Sequence, residues 1–112
     1  MKILELPVNK HYFNEAQKCD IFEDYREIKE YWIKKLLKEE YQKIEPINIV
    51  HTYLEIGQEI FRDDIDLVKF KNGYDNKSPQ KIKKFVSIRL TNQNEMTCMG
   101  RGIAFAILTK EQ

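Results

Sequence analysis

Asp24 and Arg26 stand two positions apart, so both side chains share a face if their segment is a strand. Such a pair has two readings. Arg26 can bind a phosphate or a base edge while Asp24 orients it. Equally, the two can form an ion pair that only supports the structure. Tyr25 and Tyr74 offer rings on which bases can stack, worth about 1–3 kcal/mol per base. Core packing accounts for either ring as well. Lys71 and Asn72 precede Gly73 in a loop where they can meet a phosphate and a base edge. Asn-Gly is also a plain turn signal. Lys81, Lys83, Lys84 and Arg89 lie in one alternating segment, which predicts a basic strand facing phosphates.

Other chemistries have less support. His11 and His51 fall on separate predicted helices, with Cys19 and Cys98 elsewhere. No C-x-x-C or H-x-x-x-H spacing occurs, so no metal site is expected. No Walker loop, dinucleotide fingerprint or Gly-x-Ser-x-Gly elbow is present, and no cofactor is expected. Glu95 and Thr97 offer an acid and a hydroxyl, but a surface loop explains them with fewer assumptions.

The charge is unevenly placed. Residues 1–68 hold 10 Lys/Arg against 15 Asp/Glu, whereas residues 69–101 hold eight against two. A face attractive to polyanions is one consequence. Lysines that keep strand edges soluble are the other. The 112 residues suit one domain with one core. The N-terminal apolar run is too short for a signal segment or a membrane span, so the cytoplasm is expected, with both cysteines as free thiols.

The elements that must position these groups follow from periodicity. Residues 2–6 read as a strand ended by Pro7. Asn9 caps a helix through Lys18, with Val8, Tyr12, Phe13 and Ala16 on one side. Residues 20–27 suit a strand or extended edge. Ile28, Trp32, Ile33, Leu36, Leu37 and Tyr41 mark an amphipathic helix, with Trp32 as a core anchor. Pro46 opens a third helix whose apolar stripe is Val50, Tyr53, Leu54, Gly57, Ile60 and Phe61. Gly57 either permits close packing or weakens the helix. Strands are predicted at 67–70, 81–90 and 103–108, mostly antiparallel. In the second of these, Ile82, Val86, Ile88 and Leu90 point one way, and Lys81, Lys83, Phe85, Ser87 and Arg89 the other. The class is α+β.

Three blocks then fit one pattern: the start through Lys10, the run Glu23-Asp24-Tyr25-Arg26-Glu27-Ile28 with Tyr31-Trp32, and Phe70-Lys71-Asn72-Gly73-Tyr74 followed by Ser78-Pro79. The chain resembles small stand-alone ASCH-domain proteins of bacteria and phages, in the PUA-like superfamily. The resemblance implies a small curled β-barrel with flanking helices, residues 42–66 being a helical insertion. It also implies association with RNA. Some members of that family hydrolyse acetylated cytidine through Gly-x-Lys-x-x-Glu-x-Arg. Aligned on Arg26, that signature falls on Cys19, Ile21, Asp24 and Arg26. Isoleucine cannot shuttle a proton, so the expectation leans away from catalysis, with Asp24 the one catalytic candidate.

The expected function is therefore a module binding RNA or a nucleotide-like ligand. Its pocket would lie near Asp24, Arg26, Lys71 and Tyr74, and its basic strand at 81–89. The alternatives are a divergent nucleoside amidohydrolase or ribonuclease, and a phage or bacterial module that engages a host protein. No membrane partner is expected.

Overall fold

Leu4 and Leu6 alternate with exposed neighbours, and that two-residue period makes the first element a strand buried on one face. In the computed structural model, which describes residues 1–74, 77–92 and 102–112, it runs Ile3–Val8 (β1). It is followed by α1 (Lys10–Lys18), β2 (Ile21–Glu27), α2 (Glu30–Leu36), α3 (Ile49–Ile56), β3 (Leu67–Asn72), β4 (Gln80–Asn92) and β5 (Ile103–Lys110). Short 3-10 turns at Pro46–Asn48 and Gln58–Ile60 bracket α3. The expected order of helices and strands holds, and the fold is α+β.

The five strands form one mixed sheet in the order β1-β3-β4-β5-β2. β1 runs parallel to β3, with Leu4 opposite Val68 and Leu6 opposite Phe70. β3 and β4 are antiparallel, with Val68 opposite Lys83 and Lys71 opposite Gln80. Among the described residues β1 and β2 remain the two ends, and the sheet does not close into a barrel. Pro7 belongs to β1 instead of ending it. An edge strand pairs on one side only, so a missing N–H is tolerated there.

The chain divides into two units. The first comprises Met1–Glu23, Asp64–Ser87 and Leu108–Gln112. Leu4, Leu6, Phe13, Ala16, Val68 and Phe70 form its core. Phe22 meets Phe70 edge to face, with centroids 5.4 Å apart. α1 begins at Asn9, whose Oδ1 accepts the Tyr12 N–H at 3.0 Å, as its cap position predicts.

The second unit comprises Asp24–Asp63 and Ile88–Ile107. Trp32, Ile33, Leu36 and Leu37 bury the apolar stripe of α2, together with Ile49, Ile60, Phe61 and Phe105. The α2 helix is shorter than its stripe. Leu37 is already extended and bridges Phe61, and Lys38 N–H donates to Ile60 O at 2.9 Å. In β5, Ala104 to Ile107 are all buried, so both strand faces are covered.

Two expectations about the third helix change. Gly57 ends α3 with φ of 89° and ψ of −154°. A Cβ there would meet nothing within 4 Å, so backbone conformation and not close packing requires the glycine. Gly57→Ala should cost about 1–2 kcal/mol in urea unfolding. An unchanged midpoint would contradict that account. The apolar stripe also divides. Ile49, Ile60 and Phe61 are buried, while Val50 and Leu54 face outward.

Candidate nucleic-acid interface

Strand pleating sorts the basic residues of the first unit onto two faces, because residues paired across strands point the same way. Lys81 and Lys83 oppose Phe70 and Val68, on the face that carries the buried core. Gln80, Ile82 and Lys84 oppose Lys71, Lys69 and Leu67 on the other face. The expected phosphate-binding strand is thus split, and only Lys84 of its three lysines is exposed.

Lys83 is the main correction. It was placed on the wet side of β4, yet it is fully buried. Its Nζ donates to Ala16 O at 3.0 Å and to Cys19 O. These carbonyls lie at the C-terminal end of α1, where helix carbonyls lack intrahelical donors and the dipole favours a cation. Glu111 lies 3.7 Å away and also pairs Lys81 at 3.2 Å. Burial pushes the Lys83 pKa below its ordinary value, and the Glu111 carboxylate offsets part of that. Lys83 therefore holds the end of α1 and cannot reach a phosphate in solvent. Nothing in the alternation of β4 signals this, because the buried parity changes from Lys83 to Ile88 along the strand.

Lys71, expected in a loop, lies in β3 next to its last residue, on the opposite face, and is only 7% exposed. Among the described residues its ammonium has no hydrogen-bond or ion-pair partner. Lys69 lies two residues back and pairs Glu5 at 3.6 Å. Beyond Lys71 the chain turns. Asn72 N–H donates to Pro79 O at 3.0 Å and Gly73 N–H to Lys71 O at 2.9 Å, with Gly73 at φ of 108°. Asn72-Gly73 is thus turn chemistry, and Asn72 is half-buried. The turn projects Tyr74, which is 87% exposed. Lys71, Asn72, Tyr74 and Lys84 all belong to the first unit.

Asp24, Arg26 and Arg89 belong to the second unit. Arg89 is exposed. Asp24 is buried, and Arg26 grips it with Nε 2.5 Å from Oδ1 and Nη2 3.0 Å from Oδ2. The guanidinium carbon lies 4.8 Å from the Trp32 ring centroid. Burial raises the Asp24 pKa, and the neighbouring guanidinium pulls it back part of the way. This is the geometry of the ion-pair reading, with the guanidinium fork already filled by a carboxylate. Tyr25 between them is half-buried. The part played by Trp32 was missed: its place in the α2 stripe marked it only as a core residue.

Ile21, which the resemblance to ASCH-domain proteins aligns with a lysine, is 67% exposed at the start of β2. His11 sits in α1 and His51 in α3, where it pairs Glu55 at 3.2 Å. Among the described residues no group of three or more His, Cys, Asp or Glu is arranged to hold a metal. No helix among them is long and apolar enough to cross a membrane. Glu95, Thr97 and Cys98 lie outside the described residues. No protein-family model, curated protein or solved structure matches the chain.

Proposed function

We propose that this protein is a nucleic-acid-binding module of the PUA-like ASCH kind, taking single-stranded RNA on the Lys71–Tyr74 end of its first unit. The observation that carries the reading is Lys71, a buried lysine with no carboxylate partner among the described residues, three residues before the exposed ring of Tyr74. A phosphate would neutralise Lys71, Lys69 and Lys84 would track the backbone, and Tyr74 would stack on a base. The exposed isoleucine at position 21 favours binding over hydrolysis, because no amine stands where the family's hydrolases use one.

Fluorescence anisotropy with a labelled 12-residue oligouridylate tests this. Binding should weaken with salt with a log–log slope of about −2, from three phosphate contacts. Tyr74→Ala should weaken it by about 1–3 kcal/mol. Lys71→Met should also weaken it without loss of stability, since its charge has no partner to lose among the described residues. Absent binding at about 50 mM salt, or binding that does not change between about 50 and 200 mM, would overturn the reading.

A further inference from the structure

α3 turns an apolar ridge outward. Ile47, in the 3-10 turn that leads into it, is 86% exposed, Leu54 is 77% exposed, and Val50 lies between them. The spacing i, i+3, i+7 puts the three on one side and is the spacing of helix anchors at protein interfaces. They span about 10 Å at 1.5 Å per residue. The opposite side carries Ile49, which is buried, so the helix has its inward face filled and a second apolar face unused.

The surrounding charge selects an occupant. Residues 44–61 contain Glu45, Glu55 and Glu59 and no lysine or arginine. All three carboxylates are exposed, and Glu55 sits on α3 itself beside His51. A second copy packed through the same ridge would bring these carboxylates against their own counterparts, which is repulsive. An anionic lipid surface or a nucleic acid meets the same repulsion. A partner helix with apolar residues flanked by lysine or arginine would match both the ridge and its rim.

We infer that the Ile47–Val50–Leu54 ridge, in a stretch whose exposed Glu45, Glu55 and Glu59 give it acidic charge, docks a basic amphipathic helix of a partner protein. This surface belongs to the second unit, whereas Lys71 and Tyr74 belong to the first.

The test titrates the full chain into three labelled synthetic peptides of equal length. One has leucines at helical spacing with lysines elsewhere, one replaces every lysine by glutamate, and one scrambles the leucine–lysine order. The ordered leucine–lysine peptide should bind, and the other two should bind at least about tenfold more weakly. Ile47→Ser with Leu54→Ser should lose about tenfold or more of that affinity, and Glu55→Gln with Glu59→Gln several-fold, by weakening the apolar and the charged part separately. All four positions are exposed, and a retained urea midpoint identifies variants that still fold. Equal binding of ordered and scrambled peptides, or unchanged binding by the serine variant, would overturn the inference. So would sedimentation showing a dimer that the serine variant abolishes, which gives the ridge to a second copy. Loss of oligouridylate binding in the serine variant would give it to nucleic acid instead.

Discussion

Replacing Lys83 by alanine should destabilise the protein by about 3 kcal/mol in urea unfolding, because it removes volume from the core and strips two carbonyls of their donor. The affected carbonyls are those of Ala16 and Cys19, at the end of α1. Lys83→Met fills most of the space but donates nothing, so it should lose about 1–3 kcal/mol. The pH dependence has a definite sign. The folded-state pKa of Lys83 is lowered from 10.5, so between that lowered value and 10.5 the unfolded chain binds more protons. Stability from this group is therefore least below the folded pKa and rises with pH through that alkaline window. Wild type should gain on the methionine variant as pH is raised there. A Lys83→Ala variant within about 0.5 kcal/mol of wild type would show that the carbonyls find other donors.

The contrast between Lys71 and Lys83 shows where sequence reading succeeds and stops. Lys71 was marked as a phosphate contact from its place in a loop before Gly73, and Lys83 from its place in a basic alternating strand, so both marks rest on a positive charge and its near neighbours. Composition carries that information, whereas burial depends on which strand lies opposite. The register of β3 against β4 puts Lys83 beside Val68 on the core face and Lys71 on the other. A single sequence holds no direct record of that register. Local signals did better, because their physics is local. The Asn9 cap, the Asn72-Gly73 turn and the α2 stripe require only neighbours a few residues away. The α3 stripe failed for the opposite reason. Its spacing marked one side through Val50 and Leu54, whereas tertiary packing buries the side that carries Ile49.

Arg26→Ala should have a comparably large effect, and its pH dependence separates the two readings of the Asp24–Arg26 pair. Removing the guanidinium leaves a buried carboxylate without its bidentate donor and removes the contact with Trp32. Breaking such a pair from one side costs about 3–5 kcal/mol while the remaining group stays charged. Asp24 can escape part of that cost by taking a proton. Burial already raises its pKa above 3.8, and loss of Arg26 removes the main influence holding it down. For a carboxyl with a raised folded-state pKa, the stabilising contribution is present below the unfolded value and is lost as pH rises through the folded value. The penalty of Arg26→Ala should therefore be small in acid and grow toward neutral pH. Asp24→Asn in the same chain should recover most of it, since an amide carries no charge to bury. Urea unfolding of the single and double variants at both ends of that range measures the coupling. A penalty independent of pH, together with weaker oligouridylate binding, would make Arg26 a ligand contact. A penalty that grows with pH while binding is unchanged makes the pair a support for β2 and α2, and leaves recognition to the face that carries Lys71 and Tyr74.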